Sequence, residues 1–312
     1  MKVLVTGGAG FIGSHTLDAL LSRGDTTALL DDFNDFYDPA IKHAAAAASG
    51  ARIFAADLRD RAAVRAAIRS FQPDAIIHLA ARAGVRPSIE NPQLYIDVNL
   101  TGTLNLLDEA VAAGVKRIVF SSSSSVYGNN PKVPFAEHDA LESIISPYAV
   151  TKLAGENLCR IYAQLHGLSL TALRFFTVYG PRQRPDLAIS KFVERIAVGR
   201  PVELYGDGSS SRDYTYVEDT AAGVLSALDR LQPGFRVYNL GGEHPVTLAE
   251  LVATIERVVG KSADIRRLPP QAGDVERTWA DLTLARADLG YSPGVPLEDG
   301  IRRYWRWVQA RT

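Results

Sequence analysis

The segment Tyr148-Ala149-Val150-Thr151-Lys152 sets a phenol and an ammonium four residues apart. On a helix that spacing puts both side chains on one face. A nearby positive charge favours phenolate, so a tyrosine placed this way can act as a base near neutral pH. Many helices carry such a pair by chance. Its meaning comes from a strand end about twenty-five residues upstream, where Phe120 is followed by Ser121 to Ser125 and then Val126-Tyr127-Gly128. A hydroxyl there can bond the same substrate oxygen as the tyrosine. Alternate residues of a strand share a face, so Ser123 and Ser125 are expected to point together. Ser121 and Ser122 read better as polar loop residues.

A second constellation opens the chain. Gly7, Gly10 and Gly13, around Phe11 and Ile12, follow the first apolar run and begin the first helical pattern. One glycine permits a tight turn, one lets backbone approach a pyrophosphate, and one lets helix and strand pack closely. The helix N-terminus then offers free N–H groups and its positive dipole end to phosphates. Asp31 ends the second apolar run, 18 residues after Gly13. A carboxylate there accepts hydrogen bonds from an adenosine ribose and repels a 2′-phosphate, which favours NAD over NADP. Asp32 is the alternative for the same task. Asp57-Leu58, after the third run, is placed beside the adenine, and Ala80-Ala81-Arg82, after the fourth, along the rest of the cofactor.

The elements that must hold these residues follow from periodicity. Val3–Val5, Thr27–Leu30, Arg52–Ala55, Ala75–Leu79, Arg117–Ser121 and Ser169–Arg174 read as strands, with helical spacing between them at Ile12–Leu21 and Val64–Phe71. Strands this apolar, alternating with helices, predict a doubly wound parallel sheet covered on both faces. Glycine and proline then punctuate shorter elements at Gly180-Pro181, Gly206-Asp207-Gly208, Gly241-Gly242 and Pro269-Pro270. This pattern predicts a smaller mixed α/β lobe, with the chain returning to the sheet near Val237–Leu240. The expected division is residues 1–178 with roughly 213–240 for the dinucleotide domain, and 179–212 with 241–312 for the second lobe. Ala44–Ala48 reads as a surface helix.

With 312 residues, 46% hydrophobic and a formal net charge of −1, the chain can bury a core, and its total charge favours neither nucleic acid nor an anionic membrane. A single cysteine, Cys159, excludes an intrachain disulfide, fits a reducing cytoplasm and is expected to be buried in a helix. No run has the length of a signal peptide or a membrane span, so a soluble protein is expected, and no metal is called for.

Together these features resemble the NAD-dependent epimerase/dehydratase family, the extended branch of the short-chain dehydrogenases, along essentially the whole chain. The resembling pieces are Thr6–His15, His78–Ala81, Asn99-Leu100-Thr101-Gly102-Thr103, the Tyr148–Lys152 pair, Arg174-Phe175-Phe176, Val178–Arg182 and Tyr205–Gly208. The resemblance implies that Leu79 and Asn99 also serve the cofactor. It implies that Tyr148 removes a proton from a sugar 4-hydroxyl while the C4 hydride passes to NAD. The 4-keto sugar then turns, and hydride returns to its other face. Dehydratases of the family carry Asp-Glu before the Val-Tyr-Gly, and decarboxylases usually Glu. Here Ser124-Ser125 precede it, which leaves epimerisation.

Within the family the stretches Asp32–Pro39, Arg82–Ser88 and Phe175–Pro185 resemble UDP-glucuronate 4-epimerases. Thr177 stands where many sugar epimerases have Asn, leaving room and a donor for a substrate carboxylate. That carboxylate is β to the C4 ketone and must be held away from the geometry of decarboxylation. The implied holders are Ser123, Ser124, Ser125 and Thr177, with Arg86 or Arg184 supplying charge. Arg212 is implied to clasp the diphosphate, Asp274 to lie by the uridine ribose, and Lys191 and Tyr205 to line the nucleotide pocket. A homodimer through helices around Leu100–Ala112 and Tyr148–Leu165 is also implied. The rivals are another UDP-hexose, N-acetylhexosamine or pentose 4-epimerase, a decarboxylase of the same fold, or a non-catalytic NAD-binding regulator.

Overall fold

The computed structural model describes residues 1–269 and 275–311. In chain order it contains β1 (Lys2–Thr6), α1 (Phe11–Ser22), β2 (Thr26–Asp31), α2 (Pro39–Ala48), β3 (Arg52–Ala55), α3 (Arg61–Phe71) and β4 (Ala75–His78). The short α4 (Val85–Glu90) and α5 (Pro92–Ile96) lead through a π-helical turn at Asp97–Thr101 into α6 (Gly102–Ala112) and β5 (Arg117–Ser123). Then come α7 (Pro147–His166), β6 (Ser169–Phe175), β7 (Thr177–Tyr179), α8 (Ala188–Ala197), β8 (Val202–Tyr205), β9 (Ser211–Tyr216), α9 (Val217–Asp229) and β10 (Gly234–Leu240). The chain finishes with β11 (Pro245–Thr247), α10 (Leu248–Val259), β12 (Ile265–Leu268), α11 (Thr283–Leu289) and α12 (Leu297–Gln309).

Seven strands form one parallel sheet in the order β10-β6-β5-β4-β1-β2-β3. Their alternation explains why they are apolar throughout. Val3 and Val5 face one core with Leu17 and Leu20 of α1 and Val224 of α9, while Leu4 faces the opposite core with Val64 and Ile68 of α3 and Leu106 of α6. Both faces are covered, as the sequence predicts. Strand order reverses at β1, where β2 lies on one side and β4 on the other. A ligand crevice opens beyond the strand C-termini at such a point.

The second lobe has its own core. Ile189, Phe192, Val193 and Ile196 of α8 pack with Leu251, Val252 and Ile255 of α10 and with Ile301 and Tyr304 of α12. It carries a three-stranded sheet, β11-β9-β7, and a parallel pair, β12-β8. β10 returns to the edge of the large sheet, where Val237 pairs with Ala172 and Leu240 with Phe175.

Ala44–Ala48 ends α2, whose N-terminus is capped by Asp38 with Pro39 in the first turn. Cys159 is fully buried in α7. Among the described residues no helix is long and apolar enough to cross a membrane.

Candidate active site

A cavity of about 470 Å³ runs along the C-terminal ends of the central strands. One end is built by the glycine loop. Gly7 has φ +70°, and a Cβ there would lie 2.6 Å from the Ala80 nitrogen. A Cβ on Gly13 would lie 2.1 Å from the Gly7 carbonyl oxygen. Only glycine allows the loop to fold this tightly against α1 and the end of β4. Gly10 precedes α1 with no side-chain cap and no acidic residue in the first turn, so the helix presents open N–H groups to the cavity.

Gly7, Gly10, Phe11, Ile12, Gly13, Asp31, Asp32, Asp57, Leu58, Leu79, Ala80, Ala81 and Arg82 all line this end. The buried Asp31 carboxylate accepts from Ala9 N–H (3.1 Å) and Phe33 N–H (3.0 Å), joining the glycine loop to the end of β2. Burial pushes its pKa up, against the pull of those donors and of Lys42. Asp57 is clasped by Arg59, which holds its carboxyl below the usual range. The cradle, its donors and the strand-end carboxylate fit an adenine dinucleotide without a 2′-phosphate.

Asn99 does not line the cavity. The π-helical turn buries it, and its side chain accepts from Arg82 N–H (2.8 Å) and donates to the Arg82 carbonyl (3.0 Å) and Thr151 Oγ1 (3.0 Å). Its amide supports the cofactor wall and the Tyr148 helix from behind.

Tyr148 and Lys152 stand in the first two turns of α7, which is capped by Ser146 with Pro147 at its start. Both line the cavity, with the Lys152 ammonium 5.9 Å from the Tyr148 ring centre. Lys152 donates to the Ser121 carbonyl (2.7 Å) and Oγ (3.3 Å). Burial lowers its pKa to about 8. Burial raises the Tyr148 phenol, opposed by its hydrogen bond with Ser123 and the charge of Arg184. In the protein alone, desolvation therefore outweighs the lowering expected from a nearby cation.

The serine run differs from expectation. Ser121, Ser122 and Ser123 are strand residues of β5 rather than loop, and Ser124–Tyr127 form a 3₁₀ turn. Ser123 ends the strand because its Oγ accepts from Ser125 N–H (3.2 Å), a local bond that competes with the ladder. The Ser123 and Ser125 hydroxyls still meet, at 3.1 Å, but through the turn and not through strand alternation. Ser123, Ser124 and Ser125 all line the cavity.

Thr177 of β7 and Arg184 of the loop after it line another part of the cavity wall. Arg184 lies 5.1 Å over the Phe36 ring and donates to Asp186 (2.9 and 2.8 Å). Arg86 does not reach the cavity wall; its guanidinium lies 5.3 Å over the Tyr205 ring. Lys191 is exposed on α8, and Arg212 donates to the Ser211 carbonyl at 2.9 Å. None of Lys191, Tyr205 and Arg212 lines the cavity. Asp274 lies outside the described residues.

Phe36 and Lys42 are cavity residues to which the sequence reading gives no role. Phe36 is the platform for Arg184. Lys42 is buried beside Asp31, donates to the Asn34 carbonyl (2.8 Å) and lies 4.7 Å over the Tyr37 ring. Its sequence signal is a single lysine in an alanine-rich helix. Among the described residues no cluster of three or more His, Cys, Asp or Glu side chains could hold a metal.

Comparison with known proteins agrees with this geometry. A probable UDP-glucuronate 4-epimerase of Rhizobium meliloti is 41% identical over 329 residues, covering 98% of this chain and 96% of its own length. The crystal structure of a Bacillus cereus UDP-glucuronic acid 4-epimerase with UDP-glucuronic acid and NAD superposes with a TM-score of 0.93 at 34% identity, with 100% of both chains covered. That of Thermus thermophilus UDP-glucose 4-epimerase with NAD gives 0.91 at 36% identity, again over 100% of both chains. The model of the NAD dependent epimerase/dehydratase family matches residues 3–241. The chain belongs to the NAD-dependent epimerase/dehydratase family.

Proposed function

We propose that this protein is an NAD-dependent UDP-sugar 4-epimerase, an isomerase that converts UDP-glucuronate to UDP-galacturonate. The observation that carries this reading is one cavity in which the glycine cradle, Tyr148 with Lys152, and Thr177 with Arg184 face one another. Among the described residues lining it, the carboxylates are Asp31, Asp32 and Asp57, all at the glycine-loop end. Elimination of water needs an acid and a base at the sugar, and the serine turn supplies neither as a carboxylate.

NAD, when bound, accepts the C4 hydride and returns it to either face of the 4-keto sugar. The chain's own residues do the rest. Gly7, Gly10, Gly13 and the start of α1 hold the pyrophosphate, and Asp31, Asp57 and Leu58 hold the adenosine. Tyr148 takes the proton from the sugar 4-hydroxyl and later gives it back. Lys152 supplies the positive charge that offsets the burial of the phenolate. The Ser123–Ser125 pair bonds the same sugar oxygen. Ser124, Thr177 and Arg184 hold the sugar carboxylate out of line with the C4 carbonyl, so that carbon dioxide is retained. Arg184 suits this task better than Arg86, because it lines the cavity and Arg86 rests on Tyr205. Arg212, Asp274, Lys191 and Tyr205 are assigned to the nucleotide through family likeness.

The same reading divides the chain into a dinucleotide domain (1–178 with roughly 213–240) and a nucleotide-sugar lobe (179–212 with 241–312). It makes the protein a cytoplasmic homodimer. Leu104 of α6 and Val150, Ile161 and Leu165 of α7 are exposed, an apolar face suited to a second copy.

Incubation of the purified protein with UDP-glucuronate, without added NAD, is the test. UDP-galacturonate should form. A pentose nucleotide as sole product, or turnover of UDP-glucose alone, would overturn the substrate assignment.

A further inference from the structure

Tyr148, Lys152 and Glu156 stand at four-residue intervals on α7, and consecutive residues of β5 hold the last two. Ser121 accepts from Lys152, and the Ser122 hydroxyl donates to Glu156. The helix comes this close because residue 155 is glycine; a Cβ there would lie 2.6 Å from the Phe120 ring. The Glu156 carboxylate is otherwise filled by Arg174 of β6, whose Nε and Nη2 donate to its two oxygens at 2.9 Å each. The guanidinium also donates to Tyr127 Oη (2.9 Å), in the turn that carries the catalytic serines. Lys152, Glu156 and Arg174 are 3%, 1% and 2% exposed.

A buried ion pair is a weak source of stability, since well-packed apolar residues often serve as well. Its position here suggests another use. Among the described residues, the ionisable groups around Lys152 are Tyr148, Glu156 and Cys159 on its own helix, His78 on β4, Arg174 on β6 and Arg184 on the loop after β7. Burial and the Lys152 charge lower His78 to about 3, so it is neutral. Burial and the Glu156 charge push the Cys159 thiol far up, so it is neutral too. Tyr148 is an anion only as the phenolate of the proton transfer itself, the form that the Lys152 charge serves. Glu156 is then the anion of this group that stays outside the proton transfer, and its charge acts on the Lys152 ammonium, whose cationic form burial already disfavours.

We propose that Glu156, gripped by Arg174, is a positioning residue that keeps Lys152 cationic and seated at Ser121 through its charge. The proposal rests on the proposed epimerase chemistry, in which Lys152 must be positive. Arg174 restrains the effect: it fixes the carboxylate in place and partly offsets its field.

The test is the titration of Lys152, read by NMR of ¹³Cε-labelled lysine in the full chain and assigned with Lys152→Met, beside the pH dependence of kcat. Glu156→Gln should lower the Lys152 titration by about one pH unit, the size expected for one charge a helical turn away at intermediate dielectric. The alkaline limb of kcat should move with it. Arg174→Met should leave the titration in place or raise it. The double variant should lie below Arg174→Met and close to wild type. No shift in Glu156→Gln, or an equal fall in Glu156→Gln and Arg174→Met, overturns the proposal, because lost packing moves both variants the same way. If Glu156→Gln does not fold, Arg174→Met and the double variant still differ only in the carboxylate and decide the matter. A wild-type protein that does not turn over UDP-glucuronate defeats the functional reading instead, and the NMR titration remains a separate measurement.

Discussion

The glycine-loop end of the cavity is held by main chain and by strand ends of a single sheet, whereas the Arg184 end is assembled from loop side chains. At the first end Gly13 touches Gly7, Asp31 fixes Ala9, and nothing can move without disturbing β1, β2 or β4. At the second, Arg184 stands between the Phe36 ring and Asp186, two loops that are far apart in the chain. A rigid cradle suits a cofactor that stays bound through the catalytic cycle. A clasp of side chains suits a sugar that must turn between the two hydride transfers.

Substitutions should separate the two ends. Tyr148→Phe removes the proton acceptor where they meet, and kcat should fall by about 10³-fold or more while bound NAD remains. Unchanged turnover in that variant would rule out Tyr148 as the base. Gly13→Ala places a methyl group on the Gly7 carbonyl, so most nucleotide should be lost on purification, with stability down by about 1–3 kcal/mol. Acid-released NAD and a melting curve measure both. Arg184→Met should leave the NAD content intact and raise KM for UDP-glucuronate about 10–100-fold, the worth of one charge-assisted bond. Nucleotide loss in that variant would mean that the two ends are not independent. The smallest effect is that of pH. Lys152 is cationic below its value of about 8 and loses its proton as pH rises through it. Below about pH 7 kcat should be level in this group, and between about pH 7 and 9 it should fall roughly tenfold.

Legibility in the sequence follows the same divide. The strands around the glycine loop are short apolar runs in chain order, and their ligands stand at strand ends, so position along the chain reports position in space. Asp31, Asp57 and the residues after β4 are legible in this way. The serine turn is less so because a side chain decides it: the strand runs on through Ser123, where the Ser123 hydroxyl captures Ser125 N–H and ends it short of Ser125. Asn99 departs from its expected place because one extra residue in its helical turn rotates it behind Arg82. Arg86 departs for a related reason. The six-residue α4 aims it at Tyr205, and a six-residue helix has too weak a periodicity to show which way it faces. Phe36 belongs to no strand or helix and Lys42 to an alanine-rich helix without an informative apolar stripe, so their places in the cavity wall follow only from how a loop and α2 meet.

The return of β10 to the sheet edge sets a timetable for synthesis on the ribosome. Tyr127, fully buried in the catalytic turn, donates to Asn239 Oδ1 at 2.7 Å across 112 residues of chain. Asn239 in turn bonds the Phe135 and Asp281 carbonyls. The nascent chain can build the glycine cradle early. It cannot satisfy the Tyr127 hydroxyl through this bond, or cover the β6 edge, until residue 240 has emerged. Until then that edge offers unpaired backbone groups to any strand that passes, and a chain interrupted before β10 is the form most exposed to aggregation.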